Sequence, residues 1–296
     1  MQKSFEKTIQ KGRFIGMKIG FWGNKIVRRM IPLLLAISVV WINVAFAAVP
    51  VPQVGAEAAV LIVADTKEIL FEKKSKDIMY PASTTKIMTL ITALEKGDPN
   101  SIVTVSSSAA ACDGSGLGLH AGDKLTLHEA MYGMMLVSGN DAAEAIAENV
   151  AGSIPAFVGM MNAKADKLGA VKTHFSNPHG LPDPVNHFTT AYDLALMTAY
   201  GMQQPEFAKI VSLRDYNVHF LNGNNLHVAN TNKLLKTYPG ANGVKTGYTD
   251  AAGDCLVAAA KRDGVQLIVV ILNDDYRWDD AAHLLDYGFQ QIALKK

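Results

Sequence analysis

The chain has 296 residues, with 28 Lys and Arg against 27 Asp and Glu, a formal net charge of +1 and a hydrophobic content of 49%. No Lys/Arg stripe occurs outside the first fifty residues, which excludes nucleic acid as the expected partner. The eight histidines show no His-Glu-x-x-His or other ligand spacing, so neither a metal nor a cofactor is expected.

The first segment reads as a leader. Lys3, Lys7, Lys11, Arg13, Lys18, Lys25, Arg28 and Arg29 precede an apolar run from Ile31 to Ala48 that contains the small-x-small pattern Ala45-Phe46-Ala47. This predicts a signal peptide over 1–47, cleavage between Ala47 and Ala48, and an exported protein. An uncleaved anchor is the competing reading; Asn43 and the small-residue end argue against it. Removing 47 of 296 residues leaves 249, enough for one large domain or two intimately packed lobes. Cys112 and Cys255, the only cysteines, are too few for a disulfide framework. Export permits one bridge, but buried free thiols are the simpler expectation.

Ala58 to Ala64 is almost wholly apolar, Asp65-Thr66-Lys67-Glu68 makes a turn, and Ile69 to Glu72 continues, which predicts a strand hairpin. A helix follows. Pro81 stands just before it, Ile87, Leu90, Ile91 and Leu94 repeat at helical spacing, and Lys96-Gly97-Asp98-Pro99 stops it. Ser83 falls in its first turn and Lys86 returns to the same face, so an uncharged amine there could take the hydroxyl's proton. Serine is also a favoured N-cap, and a Ser-x-x-Lys pair arises by chance about once in such a chain. Ser4 and Lys7 are such a pair.

From about 100 to 212 the periods are helical, with helices expected at Leu127 to Leu136, Asp141 to Val150, Ile154 to Leu168, Ala191 to Met202 and Pro205 to Val211. Gly114-Ser115-Gly116-Leu117-Gly118 lacks both a leading strand and a following Lys-Ser/Thr, and reads as a tight loop rather than a phosphate cradle. Strand character returns in a hairpin, Tyr216 to Phe220 and Leu226 to Ala229, and in Gly243 to Tyr248, Gly253 to Lys261 and Val265 to Leu272. A helix from about Asp279 to Leu294 closes the chain, its apolar residues spaced for packing on a sheet. The two ends of the mature chain thus supply strands and its middle helices. The predicted fold class is α+β: a five-stranded antiparallel sheet flanked by helices (about 48–99 and 213–296) with an inserted helical lobe (about 100–212). A cleft should lie between them.

Two further triplets fall where such a cleft needs them. Ser138-Gly139-Asn140 sits in a break between two helices, and Lys245-Thr246-Gly247 sits on a strand, with glycine where a bulky side chain would keep a substrate off the strand edge. Each is weak alone. A Ser-x-x-Lys, then a Ser-x-Asn loop, then Lys-Thr-Gly is the ordered set of penicillin-binding proteins and class A β-lactamases, whose middle motif is Ser-Asp-Asn. On these motifs, on Asn177-Pro178-His179-Gly180-Leu181 and on the run from Pro239 to Thr249, the chain resembles low-molecular-mass penicillin-binding proteins, the serine-type D-alanyl-D-alanine carboxypeptidases.

The resemblance implies a β-lactamase/transpeptidase-like catalytic domain over 48–296 that acts on peptidoglycan stem peptides ending in D-Ala-D-Ala, with β-lactams as covalent inhibitors. Ser83 is the expected nucleophile and Lys86 its base. That role requires the Lys86 pKa to fall by roughly three units, about 4 kcal/mol, through desolvation beside Leu90 and the charge of Lys245. Lys245 and Thr246 would hold the substrate carboxylate, Ser138 would relay a proton, Asn140 would hold the substrate amide, and Gly247 would leave room at the strand edge. The N–H groups of Ser83 and, by resemblance, Tyr248 would form an oxyanion hole. Many family members carry a further β-rich domain and a C-terminal amphipathic anchor; neither is seen before Lys296, so no C-terminal anchor is expected. A β-lactamase is disfavoured because no Glu-x-x-x-Asn lies between Asn140 and Lys245. A DD-endopeptidase of peptidoglycan cross-links, and a non-catalytic wall-binding or β-lactam-sensing domain, remain as alternatives.

Overall fold

The computed structural model describes residues 49–295; the predicted leader and its cleavage site lie outside them. Strands β1 (Ala58–Val63) and β2 (Ile69–Lys73) form the expected hairpin. Near the other end, β7 (Ala241–Thr249), β8 (Gly253–Arg262) and β9 (Val265–Leu272) form an antiparallel meander. The two groups join because β1 pairs antiparallel with β9, giving a five-stranded sheet in the order β2-β1-β9-β8-β7. Strand β7, which carries Lys245-Thr246-Gly247, is therefore an edge.

The central strands are apolar along their length because both faces are covered. Alternation assigns the faces: Ala59, Leu61, Leu267, Val269 and Ile271 pack under the last helix, α9 (Arg277–Leu294), through Leu284 and Leu285. Ala58, Val60, Ile62, Ile268 and Val270 face the main core. In that core lies α1 (Lys86–Lys96), whose residues from Lys86 to Ala93 are all buried. It is a pillar between sheet and helical lobe rather than an amphipathic surface helix.

The lobe contains α2 (Ser107–Ala110), α3 (Leu127–Leu136), α4 (Asn140–Ala151), α5 (Ile154–Lys167), α6 (Ala191–Gly201) and α7 (Pro205–Ser212). Its starts are set by side chains that satisfy free N–H groups: Thr126, Ser153 and Thr190 accept from Glu129, Ala156 and Asp193, respectively. Strands β3 (Ile102–Thr104) and β4 (Lys124–Thr126) pair within it, and α8 (Leu234–Thr237) precedes β7; none of these three short elements was expected.

The hairpin β5 (Asp215–His219) and β6 (Asn225–Ala229) corrects the expected boundary at 213. It packs on the lobe: Tyr216 stacks on Tyr132 of α3 with ring centroids 4.0 Å apart and donates to Glu129 Oε1 at 2.9 Å. The sheet portion thus resumes at Ala241. Both cysteines are free, as expected, with Cys255 buried and Cys112 partly so. Among the described residues, no helix is long and apolar enough to cross a membrane.

Leu90 is fully buried on α1. Leu90→Ala is expected to destabilise the protein by about 2–5 kcal/mol, the range for removing a buried leucine side chain. Urea unfolding checks this, and a loss under about 1 kcal/mol would show that the pillar can repack.

Candidate active site

Ser83 lies on a single 3-10 turn, Ala82–Thr85, that runs into α1 at Lys86. With three residues per turn, positions i and i+3 eclipse, so the Lys86 amine lies over the serine. Lys86 Nζ lies within hydrogen-bond distance of Ser83 Oγ, at 3.1 Å. The turn is pinned by Thr84 Oγ1 donating to Pro81 O at 2.6 Å and Thr85 Oγ1 donating to Ala82 O at 2.8 Å. Ala82 has φ +47° and Ser138 φ +66°, left-handed conformations that are strained for residues with a Cβ.

Two glycines let other chain segments reach this turn. A Cβ on Gly180, where φ is +99°, would lie 1.9 Å from Ala82 O. On Gly247 it would lie 3.0 Å from the Ser83 nitrogen and 3.2 Å from Pro81 O. The backbone of the Ser83 turn is thus held between the Asn177–Leu181 segment and the edge strand β7.

Lys86 is fully buried and also donates to Asn140 Oδ1 at 2.7 Å and His179 O at 2.9 Å. Burial, and next the charge of Lys245, hold its pKa well below that of an ordinary lysine. Lys245 is buried too and donates to Thr246 O at 2.9 Å. Burial first, and then Arg277, push its pKa down to about 7.

Asn140 Nδ2 donates to Asp113 O at 2.6 Å, so its amide spans Lys86 and the glycine-rich loop. That loop cradles a carboxylate of its own chain: Leu117, Gly118 and Leu119 donate their N–H groups to Asp141 at 2.8, 2.9 and 3.0 Å. Thr246 Oγ1 lies 2.7 Å from Thr231 Oγ1, and Thr231 N donates to Leu136 O at 3.1 Å, joining β7 to the lobe. Ser138 is buried in the turn before Asn140. A cleft of about 390 Å³ is lined by Ser83, Gly114, Ser115, Asn140, Leu181 and Tyr248, among others.

Arg277, Thr231, Asp141 and His179 were not picked out from the sequence as parts of the site. Arg277 Nη1 donates to Gly247 O at 2.8 Å and Cys255 O at 3.1 Å, and the same nitrogen lies 3.0 Å from Asp254 Oδ1. Cys112, Glu144 and His179 bring a sulfur, a carboxylate oxygen and a ring nitrogen within 4.8 Å of one another, a possible cation-holding set. Leu181 N, however, donates to His179 Nδ1 at 3.2 Å, so the ring proton sits on Nε2 and points at Glu144 Oε1, 3.3 Å away. With no lone pair facing the cluster, the trio fits a hydrogen-bonded brace for the His179 carbonyl better than a metal site. Burial, and then the charges of Lys86 and His187, keep that histidine neutral, with a pKa of about 3.

A family model described as peptidase S11, D-alanyl-D-alanine carboxypeptidase, matches residues 45–276. The chain is 37% identical over 244 residues to D-alanyl-D-alanine carboxypeptidase DacF of Bacillus subtilis strain 168, covering 80% of this chain and 62% of that protein. It is 35% identical over 248 residues to DacB2 of Mycobacterium tuberculosis, covering 81% and 84%. A crystal structure of a D-alanyl-D-alanine carboxypeptidase from M. tuberculosis H37Rv matches with a TM-score of 0.78 and 34% identity, over 82% of this chain and 94% of that one. The Streptomyces K15 DD-transpeptidase also matches with a TM-score of 0.78, at 32% identity over 82% and 100%. The expected α+β architecture is shared with both.

The penalty for burying Lys245 is full below its pKa of about 7 and fades as pH rises toward that of an exposed lysine. Lys245→Met should therefore stabilise the protein at pH 7 by about 1–3 kcal/mol, with the gain shrinking toward pH 10. Equal gains in urea unfolding at both pH values would contradict this. Gly180→Ala should cost about 2 kcal/mol or more and displace the Ser83 turn. A melting temperature within 1 °C of the parent, on the order of 0.3 kcal/mol or less, would show that the segment can retreat.

Proposed function

The chain belongs to the D-alanyl-D-alanine carboxypeptidase family, peptidase S11, and from that premise we propose that it is an exported serine carboxypeptidase that removes the terminal D-alanine from peptidoglycan stem peptides. Because the chain spans 62% of the Bacillus subtilis relative, activity, substrate and inhibition are all part of this proposal. The observation that carries it is the Lys86 amine, buried, depressed in pKa and 3.1 Å from the Ser83 hydroxyl.

Neutral Lys86 takes the proton of Ser83 Oγ as that oxygen attacks the carbonyl carbon between the two D-alanines. The N–H groups of Ser83 and Tyr248 receive the negative charge on the carbonyl oxygen. Collapse of the tetrahedral intermediate breaks the C–N bond, and the leaving amine takes its proton from Lys86 through the Ser138 hydroxyl. Water then attacks the acyl-enzyme, releases the shortened peptide and restores Ser83. Lys245 and Thr246 hold the terminal carboxylate, and Gly247 keeps the strand edge open to the extended peptide. Asn140 orients Lys86 through Oδ1 while lining the cleft that receives the substrate amide. A β-lactam enters by the same attack and remains as a slowly hydrolysed acyl-enzyme, since no loop glutamate in a Glu-x-x-x-Asn setting is present to activate water.

The mature protein should release D-alanine from a pentapeptide stem and be labelled covalently by a fluorescent penicillin. Ser83→Ala should lose both, with turnover reduced by about 10³-fold or more. Labelling that survives Ser83→Ala would identify another nucleophile, and stable labelling of the parent with no D-alanine release would point to a sensor.

A further inference from the structure

The segment between β6 and α8 carries a threonine that belongs to none of the three motifs, and what is inferred for it rests on the carboxypeptidase reading. Thr231 stands two residues past β6 and is exposed, whereas Thr246 on β7 is buried. Their hydroxyl oxygens are 2.7 Å apart. The backbone of Thr231 is fixed on both sides. Asn230 accepts at Oδ1 from Asn232 N at 2.8 Å and donates through Nδ2 to Leu213 O at 2.9 Å. Asn232, itself buried, accepts at Oδ1 from Leu234 N at 3.1 Å. Two such Asx turns in succession leave the residue between them little freedom to drift. Thr231 N also donates to Leu136 O at 3.1 Å, at the last residue of α3 and two positions before Ser138.

Counting hydrogens assigns the direction of the contact between the two hydroxyls. Each has one hydrogen to give and lone pairs to accept with. If Thr246 is to donate to the substrate's terminal carboxylate, the hydrogen between the two oxygens has to come from Thr231. The opposite sense would commit the Thr246 hydrogen to Thr231 and turn a lone pair toward the anion.

We propose that Thr231 is a positioning residue for the reaction: by donating to Thr246 Oγ1 it aims the Thr246 hydrogen at the substrate carboxylate. A hydroxyl that already accepts one hydrogen bond is the stronger donor in its next, so the pair forms a short chain that ends on the anion. The Thr231 N–H does a second job. It ties the same residue to the end of α3, and so keeps the Thr246 hydroxyl in register with the turn that carries Ser138.

The test compares acylation rate constants for benzylpenicillin and its methyl ester, which differ in the charge on one carboxyl group. The parent should prefer the acid by at least about tenfold. Thr231→Val, which keeps the shape and removes the hydroxyl, should reduce that preference by about fivefold, and Thr231→Ala should do the same. Thr231→Ser should keep it within about twofold of the parent. Each preference is a ratio taken on one preparation, so partial misfolding cancels, and a merely structural role would slow both compounds alike. An unchanged preference in Thr231→Val and Thr231→Ala, or a preference in Thr231→Ser as weak as theirs, would overturn the positioning role alone. Equal rates for acid and ester in the parent would overturn the carboxylate clamp at Thr246 and the role of Thr231 with it. No acylation of the parent by either compound would overturn the carboxypeptidase reading on which both rest.

Discussion

The site depends on keeping one amine out of water. Lys86 is buried in a core helix with three polar partners from three separate parts of the chain: the Ser83 hydroxyl, the Asn140 side chain and the His179 carbonyl. A neutral amine satisfies them by donating to the two carbonyl oxygens and turning its lone pair to the hydroxyl, whereas burial penalises an ammonium, and this difference is the depressed pKa. Each partner is held in turn. Asn140 is tied to Asp113, the His179 ring is buttressed by Glu144 and Leu181, and Ser83 sits on a turn enclosed by two glycine backbones. The lobe, the sheet edge and the Asn177–Leu181 segment all converge on the Ser83–Lys86 pair.

A second buried lysine tightens the arrangement. Lys245 stands on the edge strand with Arg277 beside it, and burial together with the Arg277 charge lowers its pKa. A buried cation close to another is electrostatically frustrated. The frustration stays local because Arg277 is partnered by Asp254 and by two carbonyls of the sheet. Much of the core that surrounds these groups is apolar, which is what allows it to absorb the penalty.

Long, periodic elements were legible before the fold was known. Val265–Leu272 is apolar throughout because it is central, and Leu127–Leu136 begins at a threonine cap, so sequence and structure agree on both. Ile102–Thr104 and Lys124–Thr126 are three residues each, too short for any period to register. The attachment of the Asp215–Ala229 hairpin was also hidden, since turn chemistry reveals a hairpin but says nothing about the surface it lies on. In the site, the three motifs were readable because side-chain chemistry and order identify them. The contribution of His179 to Lys86 is a backbone carbonyl, which no residue type encodes, and Arg277 acts from 30 residues beyond Gly247 through main-chain oxygens. Asp141 carried a weak signal, as a carboxylate in the first turn of a helix, but the loop N–H groups that meet it come from more than twenty residues earlier.

The pairing of β1 with β9 orders events in time as well as space. Strand β9, which joins the first hairpin to the rest of the sheet, is among the last segments of the chain, while Ser83 and Lys86 are among the first of the described residues. Until residues 265–272 arrive, the first hairpin has no inner neighbour in the sheet. A chain of this connectivity closes late, through contacts of large sequence separation. The Ser83 turn, which Gly247 of β7 holds from one side, is therefore completed only once the C-terminal strands are in place.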